Sequence, residues 1–268
     1  MSSTNYFTPT RIEKIVDYLA FARVKADLEL VPKYPFFSGK PFPLGRCCEI
    51  RDAVYQLIVN DIKSNHSHEG LLLLINYMKQ GHSLDKIWGG LRNLYFQNAL
   101  QIGDYYLDVS NDTVNPNKPR VEVLPFSESG FAEITDFDTF VDIGQRYWQV
   151  TMYKNNVCSS LAPYMPVLCV EKNGQSWLAV NDYTIAFSRQ SLFKKAEHIL
   201  QKLPEPPKAV QHNWLTMVEQ QTNIHINNQV TAEEYCHKYR RAGLYNDENF
   251  RNEIVKAFML LPKVISPR

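Results

Sequence analysis

The sequence lacks long apolar runs, glycine-rich loops and an excess of charge of either sign. Its apolar blocks, such as Leu71–Ile75, are far shorter than the roughly 20 residues that span a bilayer, so we expect no membrane-spanning helix. Only 11 of the 268 residues are glycine, and no phosphate-binding loop, dinucleotide fingerprint or Cys-x-x-Cys pair occurs. The formal net charge of +1 gives no electrostatic footprint for nucleic acid or an anionic membrane surface.

Cysteine usage argues against a disulfide framework. A chain of this length can build its core without cross-links, and the number of cysteines is odd. They are Cys47, Cys48, Cys158, Cys169 and Cys236. The first residues also lack the basic start and apolar core of a secretory signal. We therefore expect a reducing, cytoplasmic compartment, or export without a cleaved signal.

Helical patterns dominate the first 90 residues. A capping box at Thr10 and Glu13 predicts a helix that ends at about Val31, before Pro32. Closely spaced prolines then predict an extended loop up to Leu44, followed by a core-facing helix that begins near Cys47. A shorter helix at 70–79 and a helical turn at 83–87 complete this part of the chain.

Strand patterns begin at Tyr95. The stretch from Tyr95 to Ser110 predicts a hairpin, and the alternation of RVEVL predicts a third strand. A second hairpin is predicted around Asn173-Gly174. Helices are predicted at 139–150, 190–202, 210–222, 231–242 and 247–260. The chain is therefore expected to be α+β, with an α+β core domain at 1–202 and a helical C-terminal appendage at 208–268 packed on that core.

The first hairpin predicts one specific side-chain contact. Gly103-Asp104 suits a two-residue turn, which sets Ile102 opposite Tyr105. Side chains alternate between the two faces of a strand. Gln97 and Asp108 then lie diagonally on one face, within reach of each other. The opposite face is more apolar and is expected to meet the core.

These residues resemble a known family. In papain-like folds of the transglutaminase-like kind, a Gly-x-Cys opens a helix, and a hairpin supplies a histidine and an aspartate. Gly45-Arg46-Cys47 and the stretch YYLDVSND around Asp108 are similar to these motifs, and Gln97 occupies the place of the histidine. The resemblance covers roughly Gly45–Asp112. It implies an antiparallel sheet packed on the Cys47 helix, and a Cys47–Gln97–Asp108 site without cofactor or metal.

The glutamine decides which function the resemblance favours. Glutamine cannot accept and return a proton near neutral pH, so either another histidine, of which His82 is the nearest upstream, replaces it or the site is inactive. The hypothesis is a non-catalytic or weakly active protein that binds a protein or peptide in a cleft between the Cys47 helix and the hairpin face bearing Gln97 and Asp108. The Pro-rich loop would form one wall. Candidate binding residues are Cys48, Tyr95, Gln101, Tyr106, Asn111 and Asp112.

Two alternatives remain open. The first is an active cysteine-dependent acyl-transfer enzyme, such as an amidase, deamidase, transglutaminase or peptidase, with Cys47 as nucleophile; a helix N-terminus favours the thiolate and would lower its pKa. The second is metal-dependent chemistry through His66, His68 and Glu69, whose spacing suits a metal on an extended segment. A bland interpretation also stands, in which Cys47 is a buried small apolar residue and Asp108, Asn111 and Asp112 only cap turns.

Overall fold

The computed structural model describes residues 6–267 and combines helices with antiparallel sheets, so the α+β class is confirmed. The chain divides into two compact units between Glu133 and Ile134. This boundary does not coincide with the predicted division at 202 and 208, and residues 134–202 share a unit with the C-terminal helices. The predicted domains are parts of the chain that fold independently, which the position of this boundary does not test. The predicted domain division therefore stays a prediction.

Within residues 6–133, the first unit contains four helices and seven strands. Its elements, in chain order, are α1 (Pro9–Lys33), β1 (Phe36–Phe37), β2 (Lys40–Pro41), α2 (Cys47–Lys63), α3 (Glu69–Met78), β3 (Leu84–Leu91), β4 (Tyr95–Ile102), β5 (Tyr105–Asp108), β6 (Glu122–Pro125), α4 (Phe126–Ser129) and β7 (Phe131–Glu133). Five strands form one antiparallel sheet in the order β6-β5-β4-β3-β7, and β1 pairs with β2.

Helices α1, α2 and α3 share one core with a single face of the five-stranded sheet. Ile50, Val54 and Ile58 of α2 are fully buried in a cluster that also contains Leu100 and Leu107 from the hairpin. The predicted apolar face of the hairpin therefore meets the core, and the predicted register is confirmed, with Ile102 opposite Tyr105. The other face of the sheet buries a smaller cluster that includes Ala99, Tyr106 and Phe131.

Helix α1 differs from its predicted bounds at both ends. The N-cap is Thr8, whose side chain accepts from Arg11 N, and not Thr10. Pro32 lies inside the last turn, and the helix continues to Lys33, where Tyr34 N donates to Leu30 O at 2.8 Å. A proline in a helix removes its own N–H bond, and its ring crowds the carbonyl four residues earlier; Pro32 lies where the helix is about to end, so no long helical segment is disrupted beyond it.

The predicted helical turn at 83–87 is wrong, because this segment begins strand β3. Strand β3 pairs with β4 from Leu84 opposite Ile102 to Leu91 opposite Tyr95. The sequence Trp88-Gly89-Gly90 does not predict a strand, since glycine is rare in strands. Gly89 is required by packing: a Cβ there would lie 2.2 Å from the carbonyl oxygen of Ala132 on β7.

The described part of the second unit, residues 134–267, contains a three-stranded antiparallel sheet and six α-helices. Its elements are α5 (Phe137–Trp148), β8 (Thr151–Lys154), β9 (Val167–Val170), β10 (Ser176–Ala179), α6 (Asp182–Gln190), α7 (Lys194–Lys202), α8 (Lys208–Glu219), α9 (Ala232–Arg241) and α10 (Glu248–Leu260). The predicted Asn173-Gly174 hairpin is β9–β10. The C-terminal helices pack on this part of the chain; Trp214 Nε1 on α8, for example, donates to Ser176 Oγ at 2.8 Å.

None of the helices in residues 6–267 has the length and apolar character needed to cross a membrane.

Candidate functional site

Cys47 is the first residue of α2, where a tight loop delivers it. Gly45 has a φ of +73°, and its N–H donates to Thr113 O at 3.0 Å, which ties the Pro-rich loop to the segment after β5. A Cβ on Gly45 would lie 2.5 Å from the ring of Phe37. Arg46 lies over the same ring, 4.9 Å from its centroid. These contacts fix the backbone that carries the thiol.

The Cys47 thiol contacts an amide on strand β4. Asn98 Nδ2 lies 3.3 Å from Cys47 Sγ, and Asn98 is itself buried. Burial raises the pKa of the Cys47 thiol, although the hydrogen bonds from Asn98 oppose this shift and the charge of Asp108 adds to it. Burial therefore shifts this pKa in the direction opposite to the lowering expected from the helix N-terminus.

Gln97 and Asp108 form the predicted contact, and that prediction is confirmed. Gln97 Nε2 donates to Asp108 Oδ2 at 2.7 Å. The same carboxylate accepts from Tyr106 Oη at 2.9 Å and from Ser110 N at 2.8 Å. Burial raises the pKa of Asp108, and these hydrogen bonds oppose the shift. Within the described chain, Gln97 Oε1 is buried and has no hydrogen-bond partner.

The predicted cleft between α2 and the face bearing Gln97 and Asp108 is wrong. Helix α2 packs on the face of β4 that carries Asn98, Leu100 and Ile102. Consecutive side chains on a strand point to opposite faces, so Gln97 is directed away from the face that carries Asn98. The residue that contacts Cys47 is therefore Asn98. The resemblance to the family instead pointed to Gln97, one position earlier in the sequence.

Among residues 6–267, no histidine is in contact with Cys47 as a general base would be. His82 stacks on Tyr77 with ring centroids 3.9 Å apart, and a Cβ on Gly103 would lie 3.0 Å from His82 Nδ1. Gly103 follows the end of β4, and Asn98 lies four residues before that end, about 13 Å along the strand. His82 therefore sits at the wrong end of β4.

The residues considered for a metal have structural partners instead. His68 Nδ1 accepts from Gly70 N and caps α3, and His66 Nδ1 accepts from His68 N. Glu69 forms an ion pair with Lys14. In the part of the chain that the structure describes, no group of three or more metal-ligating side chains is found.

The other candidate binding residues are distributed over several places. Cys48 is exposed and next to Arg51 and Asp52. Gln101 bonds to the hairpin turn at Gly103 O, and Tyr106 is buried against Asp108.

Lys118 joins two more of these residues. Its Nζ lies 3.1 Å from Tyr95 Oη and 3.5 Å from Asn111 Oδ1. Asn111 also donates to Pro119 O at 3.0 Å, which holds the loop that follows β5.

Asp112 belongs to a buried ion-pair network that the sequence did not predict. Arg23 on α1 is fully buried and donates to Asp112 Oδ1 at 2.8 Å and Oδ2 at 3.1 Å. Arg23 also donates to Asp27 Oδ1 at 2.7 Å and to Val109 O at 2.8 Å. Arg120 adds a contact to Asp27 at 3.2 Å. The sequence feature that could have indicated this network is Arg23 itself, which lies on the apolar face of α1 between Leu19 and Ala26.

An open groove of about 510 Å³ lies over this network. Helix α1 forms one wall with Val24, Leu28 and Val31, and Phe42 and Pro43 of the Pro-rich loop line the groove as well. Arg23, Asp27, Asp112 and Arg120 supply its polar part. The volume lies within the usual range for ligand sites, roughly 300–1,000 Å³.

No protein-family profile, characterised protein or solved structure matches this chain. The resemblance to transglutaminase-like proteins accordingly stays an expectation, and the interpretation of the site depends on its own geometry.

Proposed function

We propose that this chain is a papain/transglutaminase-like protein whose thiol site is not catalytic and that it acts by binding a protein or peptide. The observation that carries the proposal is the environment of Cys47. Its Sγ meets the Asn98 amide, which cannot move a proton, and burial raises the thiol's pKa. A cysteine nucleophile needs the opposite arrangement, a base beside it and a favoured thiolate.

The family-like placement of the thiol supports the resemblance without requiring catalysis. Cys47 begins a helix that packs on an antiparallel sheet, and Asp108 lies on the second strand of the hairpin with a glutamine partner. The groove along α1 supports a binding role, because it is preformed and has Asp112, one of the candidate binding residues, in its lining.

An active acyl-transfer enzyme is the second candidate, and the thiol's reactivity distinguishes the two. Native protein is labelled with iodoacetamide from pH 6 to 10 and digested with trypsin, which releases residues 47–51 as one peptide. Because this peptide contains both cysteines, Cys48→Ser isolates Cys47 and Cys47→Ser isolates Cys48. The same variants unfolded in urea give the rate of an unperturbed thiol.

If the thiol site is not catalytic, Cys47 in native Cys48→Ser protein should be alkylated more slowly than in the urea-unfolded chain at every pH from 6 to 10, because the thiolate is the reacting form. Labelling of native Cys47 at pH 6 that is faster than in the unfolded chain would contradict the proposal. It would favour the acyl-transfer alternative, with Cys47 as nucleophile.

A further inference from the structure

The outer face of α1 carries an unusual stripe of exposed apolar side chains. Phe21, Val24, Leu28 and Val31 are 42%, 48%, 73% and 44% exposed. Their spacing of three, four and three residues places them on one side of the helix. The last three also line the 510 Å³ groove, so the stripe continues into a concave, partly apolar surface.

The polar part of the groove presents a cation rather than an anion. Arg23 is fully buried, and its contacts to Asp112, Asp27 and Val109 are internal. The side chains of Asp112 and Asp27 are only 6% and 14% exposed, whereas that of Arg120 is 57% exposed. Arg120 Nη1 already donates to Asp27 Oδ2 at 3.2 Å, but its guanidinium is the most exposed charge in the groove lining. An incoming group therefore meets it first, and the complementary group is a carboxylate.

The size of the stripe argues against a second copy of this chain as the occupant. From Phe21 to Val31 it is about 15 Å long and about 10 Å wide, or roughly 150 Å². A stable protein interface needs about 800 Å² from each partner. A groove of about 510 Å³ instead suits a short segment that inserts one or two side chains.

We infer that the groove between α1 and the Pro-rich loop is the docking site for a short peptide segment of a partner protein, with apolar anchors on Val24, Leu28 and Val31 and a carboxylate on Arg120. This inference rests on the proposed peptide-binding function. It adds the location of the site and the chemistry of the ligand, which is a peptide with apolar residues and an Asp or Glu close to them in sequence.

The test uses the 268-residue chain and a random 12-residue peptide library displayed on phage. Enriched peptides are synthesised with a fluorescein label, and their affinities are measured by anisotropy. The groove variants are Leu28→Glu and Arg120→Gln. Leu94→Glu is the matched apolar control, because Leu94 is 58% exposed in the β3–β4 turn, and Arg241→Gln is the matched cationic control.

The expected result is enrichment of apolar peptides with an acidic residue. Leu28→Glu weakens their binding at least about tenfold, because a charge replaces a contact in the groove. Arg120→Gln weakens it about tenfold for the acidic peptide and not for its Glu→Gln or Asp→Asn analogue, which assigns the contact to the carboxylate. Neither control changes the affinity.

Each contrary result identifies what is wrong. Peptides that bind equally to both groove variants overturn the location and leave the peptide-binding function standing. Peptides that depend on Leu28 but ignore Arg120 overturn the acidic class. No enrichment at all removes the proposed function together with the inference. A dimer in light scattering that Leu28→Glu converts to monomer makes a second copy the occupant and overturns the peptide.

Discussion

Replacing Arg23 with methionine tests whether the buried ion-pair network stabilises the first unit. The substitution keeps an apolar stem of similar length but removes the guanidinium. Asp112 then loses a two-pronged partner at 2.8 and 3.1 Å, and Val109 O loses a donor at 2.8 Å. Asp112 stays almost completely buried, with 6% of its side chain exposed.

The expected loss is about 3 kcal/mol in the free energy of unfolding. Removing one partner of a buried pair costs roughly 3–5 kcal/mol, because the other charge is left without compensation. The lower end applies here, since Arg120 Nε lies 3.9 Å from Asp112 and partly replaces the lost cation. Arg23→Met combined with Asp112→Leu should cost about 2 kcal/mol less than the sum of the two single variants.

Urea denaturation measures these losses, and hydrogen–deuterium exchange of α1 peptides assigns them to the unit that contains Arg23. Glu69→Gln is the control, because Glu69 and its partner Lys14 on α1 are 65% and 40% exposed and such an ion pair should contribute less than about 1 kcal/mol. The reasoning is refuted if Arg23→Met costs no more than this control, or if the two single losses add in the double variant.

Three further predictions concern the thiol and its loop. In the Cys48→Ser background, Asn98→His should raise the rate of Cys47 alkylation at pH 6.5 about tenfold or more, because an imidazole beside a thiol favours the thiolate. Gln97→His should leave this rate unchanged, and equal effects of the two substitutions would contradict the assigned strand faces. Although Cys48 is exposed as a residue, partial desolvation of its thiol, opposed by the charge of Arg51, raises its pKa to about 11. In Cys47→Ser protein its alkylation should therefore keep rising from pH 8 to 10, whereas an ordinary thiol levels off near pH 9. Gly45→Ala should destabilise by about 1–2 kcal/mol because of its positive φ, seen as faster proteolysis of the Pro-rich loop; unchanged proteolysis would show that the loop adapts.

Local patterns determined most of the secondary structure and one long-range contact. The turn at Gly103-Asp104 sets the register of the hairpin, and the period of two in a strand then places Gln97 diagonally from Asp108. Both follow from the sequence because the turn and the strands are adjacent in the chain. Strand β3 did not, since its Gly89 is required by the close approach of β7 at Ala132, a contact between distant segments.

The site itself needed the tertiary structure. The sequence suggested Cys47 and a hairpin partner, but it does not specify the face of β4 on which α2 packs, and this choice makes the partner Asn98 instead of Gln97. The pKa of Cys47 also depends on burial, which follows from the packing of α2 and not from the local sequence. Arg23 and Asp112 are 89 residues apart. Their ion pair forms because folding brings α1 and the end of the hairpin together, and no period or motif in either segment encodes that distance.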